Sequence, residues 1–423
     1  MSTPGDDQHL VQRSSCNRDQ LGNDKGSKVK SSDVYGEDYE NAAIKYRTMV
    51  WWKVAALMLA ATVSLGLLSI PSVFATVGMV AGCFLVVGLG AIATATGYIF
   101  GSFKLRYPHV HNMADAGEIL AGPVGREVLG AAQVLFLVFY CGSHVLTGLI
   151  AFDTITDGAS CSILWAAVTA IICLLLTIPR TLNGISYLSV VSFISILGSV
   201  LITMIGVGMF AYGGQIAFFT FIAEMRKPED FPKALYMLQI ADTTIYLIVG
   251  VAIYSFTGEN TVSPALGNTG VTLRKVAYGV ALPTIVIAGV IGGHVCAKLV
   301  FVRIFRRKGY TSRHMTSHSW TGWLTWIGIC AAIWTAAFII AELYQLDLWQ
   351  VQMPPFEDPQ RTDLWITCSW FTYGISDAHV LSHAQMAAFI MVAGLYASIL
   401  GIIQGYRNGQ FSGPFSCASQ ALI

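Results

Sequence analysis

The sequence predicts an all-α polytopic membrane protein. Of its 423 residues 54% are hydrophobic and only 12% charged, whereas soluble domains run near 25% charged. Apolar runs recur at the roughly 20-residue length that a bilayer demands. Lysine and arginine collect in alternate connections, the pattern expected of loops facing the cytosol. Spans are expected near 54–79, 82–103, 128–151, 161–178, 187–208, 210–225, 235–256, 277–304, 322–342 and 385–404.

The first span carries the strongest signal. Thr62 to Met79 reads TVSLGLLSIPSVFATVGM and is interrupted by Gly66, Pro71 and Gly78. Proline inside a helix removes a backbone donor and clashes one turn back. In lipid such a break survives only where protein or a cavity covers the freed groups. Secondary transporters use broken helices of this kind near the membrane midplane to hold small polar substrates. The competing interpretation is a proline kink in an ordinary span.

Residues 1 to 45 are polar and rich in Ser, Asp, Asn and Lys, so they are expected to be a disordered cytosolic tail. No basic start runs into an apolar stretch and cleavage site, so no signal peptide is expected. Lys104, Arg106 and Arg126 follow span two, Arg180 follows span four, and Arg226, Lys227 and Lys233 follow span six. Arg303, Arg306, Arg307, Lys308 and Arg313 follow span eight. The connection from Asp153 to Ser160 has no Lys or Arg. The connections rich in Lys and Arg, and the N-terminus, are therefore expected on the cytosolic side.

That parity creates a constraint. Arg180 and Arg226 both belong to the cytosol, so the apolar run between them crosses twice or re-enters. Two crossings need about 40 residues, and the run from Tyr187 to Glu224 barely supplies them. Gly206, Gly208, Gly213 and Gly214 would permit a tight turn or a re-entrant break. Residues 343–383 contain no full span, and 407–423 form a C-terminal tail. Trp320, Trp323 and Trp326 mark an interfacial belt at the start of span nine.

Several function classes drop out. No basic cluster stands outside the loops, so nucleic-acid binding is not expected. The nine cysteines show no metal spacing, and Cys83, Cys141, Cys173, Cys296 and Cys330 lie in apolar runs, where cysteine is a small core residue. Cys161 and Cys368 can pair if both face outward. No motif for hydrolysis, phosphate binding or a catalytic metal appears, so neither an enzyme nor a cofactor is expected. His314 and His318, His109 and His111, and the pair Asp153 and Asp157 read as loop residues.

Longer motifs add a resemblance. GLLSIPSVFATVG in the first span, FAYGGQIAFFTFIAEMRKPEDFPKAL from Phe210 to Leu235, and GGHVCAKLVFVRIFR from Gly292 to Arg306 resemble the amino acid/auxin permease family. The whole is similar to its fungal neutral amino acid permeases of the methyltryptophan-resistance type. The resemblance implies a leucine-transporter-like inverted-repeat fold with eleven helices, of which about ten are present here, helices one and six being broken. It implies uptake of neutral and aromatic amino acids by proton symport, with no cofactor and no sodium. It also implies a plasma-membrane or vacuolar location. The chain departs from the family in a shortened connection before Phe210, in residues 343–383 where a tenth helix belongs, and in Gln215 where histidine is usual. An amino acid sensor without transport, or a non-functional truncated permease, are the alternatives those departures allow.

The candidate site follows. In span one, Ser64, Gly66, Leu67, Leu68, Ser69 and Pro71 bracket the break, and freed amides there would take a substrate carboxylate. The alternative is that the serines bond back to their own helix. In span six, Ala211, Tyr212, Gly213 and Gly214 form the second break, whose carbonyls would hold the ammonium. Tyr212, Phe218 and Tyr140 would wall the side-chain pocket, or simply pack. His294 and Lys298 lie one turn apart in span eight, and ionisable groups inside a membrane are functional by default; both are candidates for proton coupling. Snorkelling of Lys298 towards the cytosol is its rival. Glu224 is a candidate gate residue, or pairs with a basic loop residue. A neutral amino acid and the lipid bilayer are the expected partners; an obligate protein partner is not specified.

Overall fold

The computed structural model describes residues 48–63, 70–204, 217–257, 271–305 and 318–344. Ten helices make up these residues: α1 (Trp51–Thr62), α2 (Ile70–Val77), α3 (Met79–Arg106), α4 (Met113–Thr156), α5 (Ser162–Thr177), α6 (Leu182–Met204), α7 (Phe218–Ala223), α8 (Phe231–Thr257), α9 (Val271–Phe305) and α10 (Trp320–Tyr344). Five of them, α3, α4, α8, α9 and α10, are long and apolar enough to cross a membrane, and α1, α5 and α6 supply shorter apolar segments. The expected span at 385–404, and residues 345–383, where no full span is expected, lie outside the described residues.

Local chemistry sets the boundaries. Gly78 adopts φ +83°, which separates α2 from α3 without strain. At the end of α3 the Lys104 ammonium donates to the carbonyls of Pro108, at 2.8 Å, and Val110. Asn112 caps α4, its Oδ1 accepting from the Asp115 amide at 2.9 Å. Helix α4 turns sharply at Ala121 and Gly122, the latter at φ +64°. Pro123 follows, at the start of the straight portion, where a missing N–H costs nothing. The expected span 128–151 is thus the middle of a longer helix. Asp153, expected in a loop, sits in the last turn of α4 and is fully buried; the helix simply runs further than its apolar run. Of the cysteines, Cys141, Cys173, Cys296 and Cys330 are buried free thiols and Cys83 a half-buried one. Cys161 is engaged in a disulfide, and Cys368 lies outside the described residues.

The helices pack as two groups. Helices α4, α5, α9 and α10 pack on one another; α8 packs on α1, α2 and α3, and α3 also on α2 and α7. Helix α6 joins the groups by packing on α9 and α1, and α9 also touches α1. Ser195 and Ser199 of α6 donate to the carbonyls of Val280 and Ala277 on α9, while Thr284 returns a bond to Ser192 at 2.6 Å. Small hydroxyl residues hydrogen-bond between helices in this way where water is absent. Helix α9 is the hub, with 94% of its most apolar window buried inside the protein.

The connections rich in Lys and Arg converge at one end. Met49 pairs with the strand-like segment at Met225: its amide donates to Glu224 at 3.3 Å, and Arg226 donates back to Met49 at 2.8 Å. The Leu182 amide donates to the Glu224 carboxylate at 3.3 Å. The stretch from α6 to α7 therefore begins and ends at this same end, as the loop parity requires. Arg303 and Glu127 pair here too. At the other end of α9, Lys275 meets Asp157 at 2.5 Å.

The last carbonyls of α5 need partners in the interior. Trp326 of α10 donates to the Ile178 carbonyl at 2.8 Å, and Trp334 donates to Thr177 Oγ1 at 3.1 Å. A Trp326→Phe variant keeps an aromatic ring edge-on to His294 and Phe301 but strips Ile178 of that donor. It should lose about 1–3 kcal/mol of stability, read as a lower unfolding temperature of the purified protein in detergent.

Candidate functional site

Helix α1 stops inside the core. Thr62 is its last residue, the Val63 amide closes the final turn on Leu59 at 2.8 Å, and α2 begins at Ile70. The final carbonyls of a helix have no partner within it, and these are far from water. Two tyrosines supply donors. Tyr140 of α4 donates its hydroxyl to Ala61 at 3.3 Å, and Tyr246 of α8 donates to Thr62 at 3.2 Å. The two tyrosines come from the two helix groups, so the end of α1 is tied to both. Gly292 of α9 makes room for the first tie, since a Cβ there would lie 2.5 Å from the Tyr140 ring. The Tyr140 ring also meets His144 edge-on with centroids 4.6 Å apart.

A second cluster closes the basic end. Lys298 of α9 and Glu224, just past α7, form an ion pair with side-chain exposures of 2% and 0%. Glu224 is thus held three ways, by Lys298, by the Leu182 amide and by the backbone pairing with Met49. Its cation is an intramembrane lysine rather than a loop residue, because the end of α7 is brought beside α9. One turn before Lys298, His294 is fully buried; its Nε2 lies 2.9 Å from the Pro179 carbonyl and its ring 5.2 Å from Trp326. That contact places a proton on Nε2. Arg180 lies over the Phe301 and Trp323 rings at 4.8 and 5.4 Å. Within α1, Lys53 donates to the Tyr187 hydroxyl at 2.8 Å.

The expected residues fall out as follows. Ser64, Gly66, Leu67, Leu68, Ser69, Ala211, Tyr212, Gly213 and Gly214 lie outside the described residues. Pro71 is the second residue of α2, in the first turn, where proline is tolerated. Phe218 opens α7, fully buried, with its ring 5.9 Å from Phe231 and against the α3 backbone at Gly97. Tyr140 stands at the end of α1, and Glu224, Lys298 and His294 gather at the basic end. Two residues emerge that sequence inspection does not single out, Tyr246 and Asp242. The signal was present in Asp242, an acid in the middle of an apolar span. Tyr246 is indistinguishable from a packing aromatic until its hydroxyl finds Thr62.

The sequence pattern of the family described as "Transmembrane amino acid transporter protein" matches residues 47–203 and 199–346. The chain belongs to this family. It is 31% identical to a protein of Neurospora crassa named "N amino acid transport system protein", over 89% of this chain and 90% of that one. It is 28% and 26% identical to proteins named "Transmembrane transporter" from Gibberella moniliformis and Fusarium pseudograminearum, each over 93% of this chain and 92% of the relative. The first alignment runs to 440 positions, more than this chain's 423 residues, so the relative carries segments that this chain lacks. The two family matches overlap at 199–203.

The ion pair gives a test by double-mutant cycle. Removing one charge leaves the other buried alone, which costs about 3–5 kcal/mol, whereas replacing both is often neutral. Lys298→Met and Glu224→Gln should each depress the unfolding temperature strongly. The double variant should recover most of the loss; purely additive effects would mean the two charges do not meet in the folded protein.

Proposed function

We propose that this membrane-embedded amino acid transporter is a secondary transporter that takes up neutral amino acids, aliphatic and aromatic, by proton symport. The observation that carries this reading is the end of α1, a helix terminus inside the membrane core tied by hydroxyls to two separate helix groups. Backbone groups at such an interruption substitute for the hydration shell of a small zwitterion. The amides of Gly66 to Leu68 would take the carboxylate. The carbonyls around Ala211 to Gly214 would take the ammonium, with Tyr140, Tyr212 and Phe218 nearest the side chain.

Two packed groups joined through α6 suit alternating access, in which one group rocks against the other, and support a leucine-transporter-like inverted repeat. The Glu224–Lys298 pair, which joins the two groups, then forms the inner gate. It must separate before substrate leaves towards that side. Lys298 stays in this reading as a coupling group because its pair with Glu224 joins the two groups, and His294 because it is buried one turn away, held by Pro179 and Trp326 of its own group. The basic end faces the cytosol, which puts the N-terminus there, and the plasma membrane is the proposed location.

The decisive assay is uptake of labelled phenylalanine and leucine by permease-deficient yeast displaying the chain, at acidic pH, with and without an uncoupler. Saturable uptake abolished by the uncoupler is the expected outcome. Absence of uptake with surface expression confirmed would refute transport. The segments that the Neurospora relative carries and this chain lacks favour one rival, a sensor that binds without moving its ligand; specific binding without accumulation would establish it.

Each tyrosine tie contributes one hydrogen bond, worth about 0.5–1.5 kcal/mol. Tyr140→Phe and Tyr246→Phe should therefore each lower the initial uptake rate by about 2- to 10-fold at unchanged surface expression. Gly292→Ala, which displaces the Tyr140 ring, should do at least as much.

A further inference from the structure

Asp242 lies in the middle of α8, on the buried stripe that also holds Leu238, Gln239, Tyr246 and Val249, and is 0% exposed. Neither carboxylate oxygen accepts a hydrogen bond among the described residues. Tyr246 stands one turn further along the same buried stripe, and side chains four apart on a helix are neighbours. The Tyr246 hydroxyl spends its proton on the Thr62 carbonyl, 3.2 Å away at the end of α1. A phenol has one proton to give, so two acceptors compete for it.

The competition is decided by charge. An ionised carboxylate accepts a bond roughly twice as strong as a neutral carbonyl does. With Asp242 ionised, Tyr246 turns to it and the Thr62 carbonyl is left bare. With Asp242 protonated, the acid becomes a donor to the Tyr246 oxygen, and the phenolic proton is freed for Thr62, the bond seen here. We propose that Asp242 is a positioning residue whose gain or loss of a proton decides whether Tyr246 holds the end of α1. The proton is exchanged with water when the site is open to it; no other bond is made or broken.

No other ionisable group contends for this carboxylate among the described residues packed on α8. On α1 there is Lys53, which donates to Tyr187, the ionisable residue of α6. Helix α2 carries none, and α3 carries none from Phe84 to Gly97. Of the rest of α3, Cys83 lies next to Gly82, which faces Phe74; Tyr98 and Arg106 are exposed; and Lys104 caps carbonyls of its own connection. On α8 itself Lys233 pairs with Asp230, beside Glu229 in the preceding turn; Tyr236 is exposed, and Tyr254 packs on Phe74.

This inference rests on the transport reading, and its test separates the two. The full chain is purified, reconstituted in vesicles with equal pH on both sides, and assayed for exchange of labelled phenylalanine from acidic to mildly alkaline pH. Wild-type exchange should vary with pH. Asp242→Asn, whose amide donates as the protonated acid does, should lose the part of that variation that runs through Tyr246, leaving a flatter profile nearer the wild type's acidic level. Tyr246→Phe, which removes the switch without touching the acid, should flatten the profile likewise and decides the matter if the Asn variant does not fold. A wild-type pH profile retained in either variant overturns the proposal. Accumulation driven by an imposed pH gradient is measured alongside. Failure of the wild type to accumulate, with its exchange still dependent on pH through Asp242, would remove proton symport and leave the switch standing.

Discussion

The end of α1 is the constraint on which the rest of the arrangement depends. A helix that stops within an apolar interior exposes carbonyls that no water can reach, and each would cost several kcal/mol if left bare. The protein answers with hydroxyls brought from either side, Tyr140 from α4 and Tyr246 from α8. Each demands that its own helix be held close. Gly292 lets α4 and α9 approach around the Tyr140 ring, and α8 packs along α1 and α2. The partition into two helix groups and the interruption of α1 are two sides of one solution.

The basic end follows a different economy. A buried ion pair is weak evidence of stability, because taking both charges out of water offsets most of their attraction. Its strength is conditional: Glu224 and Lys298 are comfortable only together. An arrangement that is stable when closed and costly when half open suits a gate better than a scaffold. The scaffold bonds are neutral ones, the serine and threonine bonds between α6 and α9 and the tryptophan bonds to the end of α5.

The five long apolar helices were legible because length and hydropathy are read directly from the sequence, and the convergence of Lys and Arg loops followed from parity. That the first helix would stop short was legible in kind, since Gly66 and Pro71 weaken a helix at that point. Its end at Thr62 was not, because nothing in the run of Ala60, Ala61 and Thr62 marks a terminus. Partners were the hardest to read. Glu224 next to Arg226 and Lys227 looks like a loop acid, and only the return of the chain past α9 gives it Lys298. Asp153 looks like part of a turn because α4 outlasts its apolar run. Tyr246 reads as packing since a hydroxyl's acceptor is a matter of tertiary placement.

Helix α9 runs for 35 residues, about 50 Å at 1.5 Å per residue, well beyond the roughly 30 Å of bilayer hydrocarbon. A lipid-facing helix of that length would tilt or thicken the membrane around it. Because 94% of the most apolar window of α9 is buried by its neighbours, that part of the helix does not face lipid. The helices that do are α3 and α8 in one group and α4 and α10 in the other, whose most apolar windows are 22, 39, 56 and 33% buried. A thicker or thinner membrane would therefore load both groups, and with them the two ties that hold the end of α1 between them.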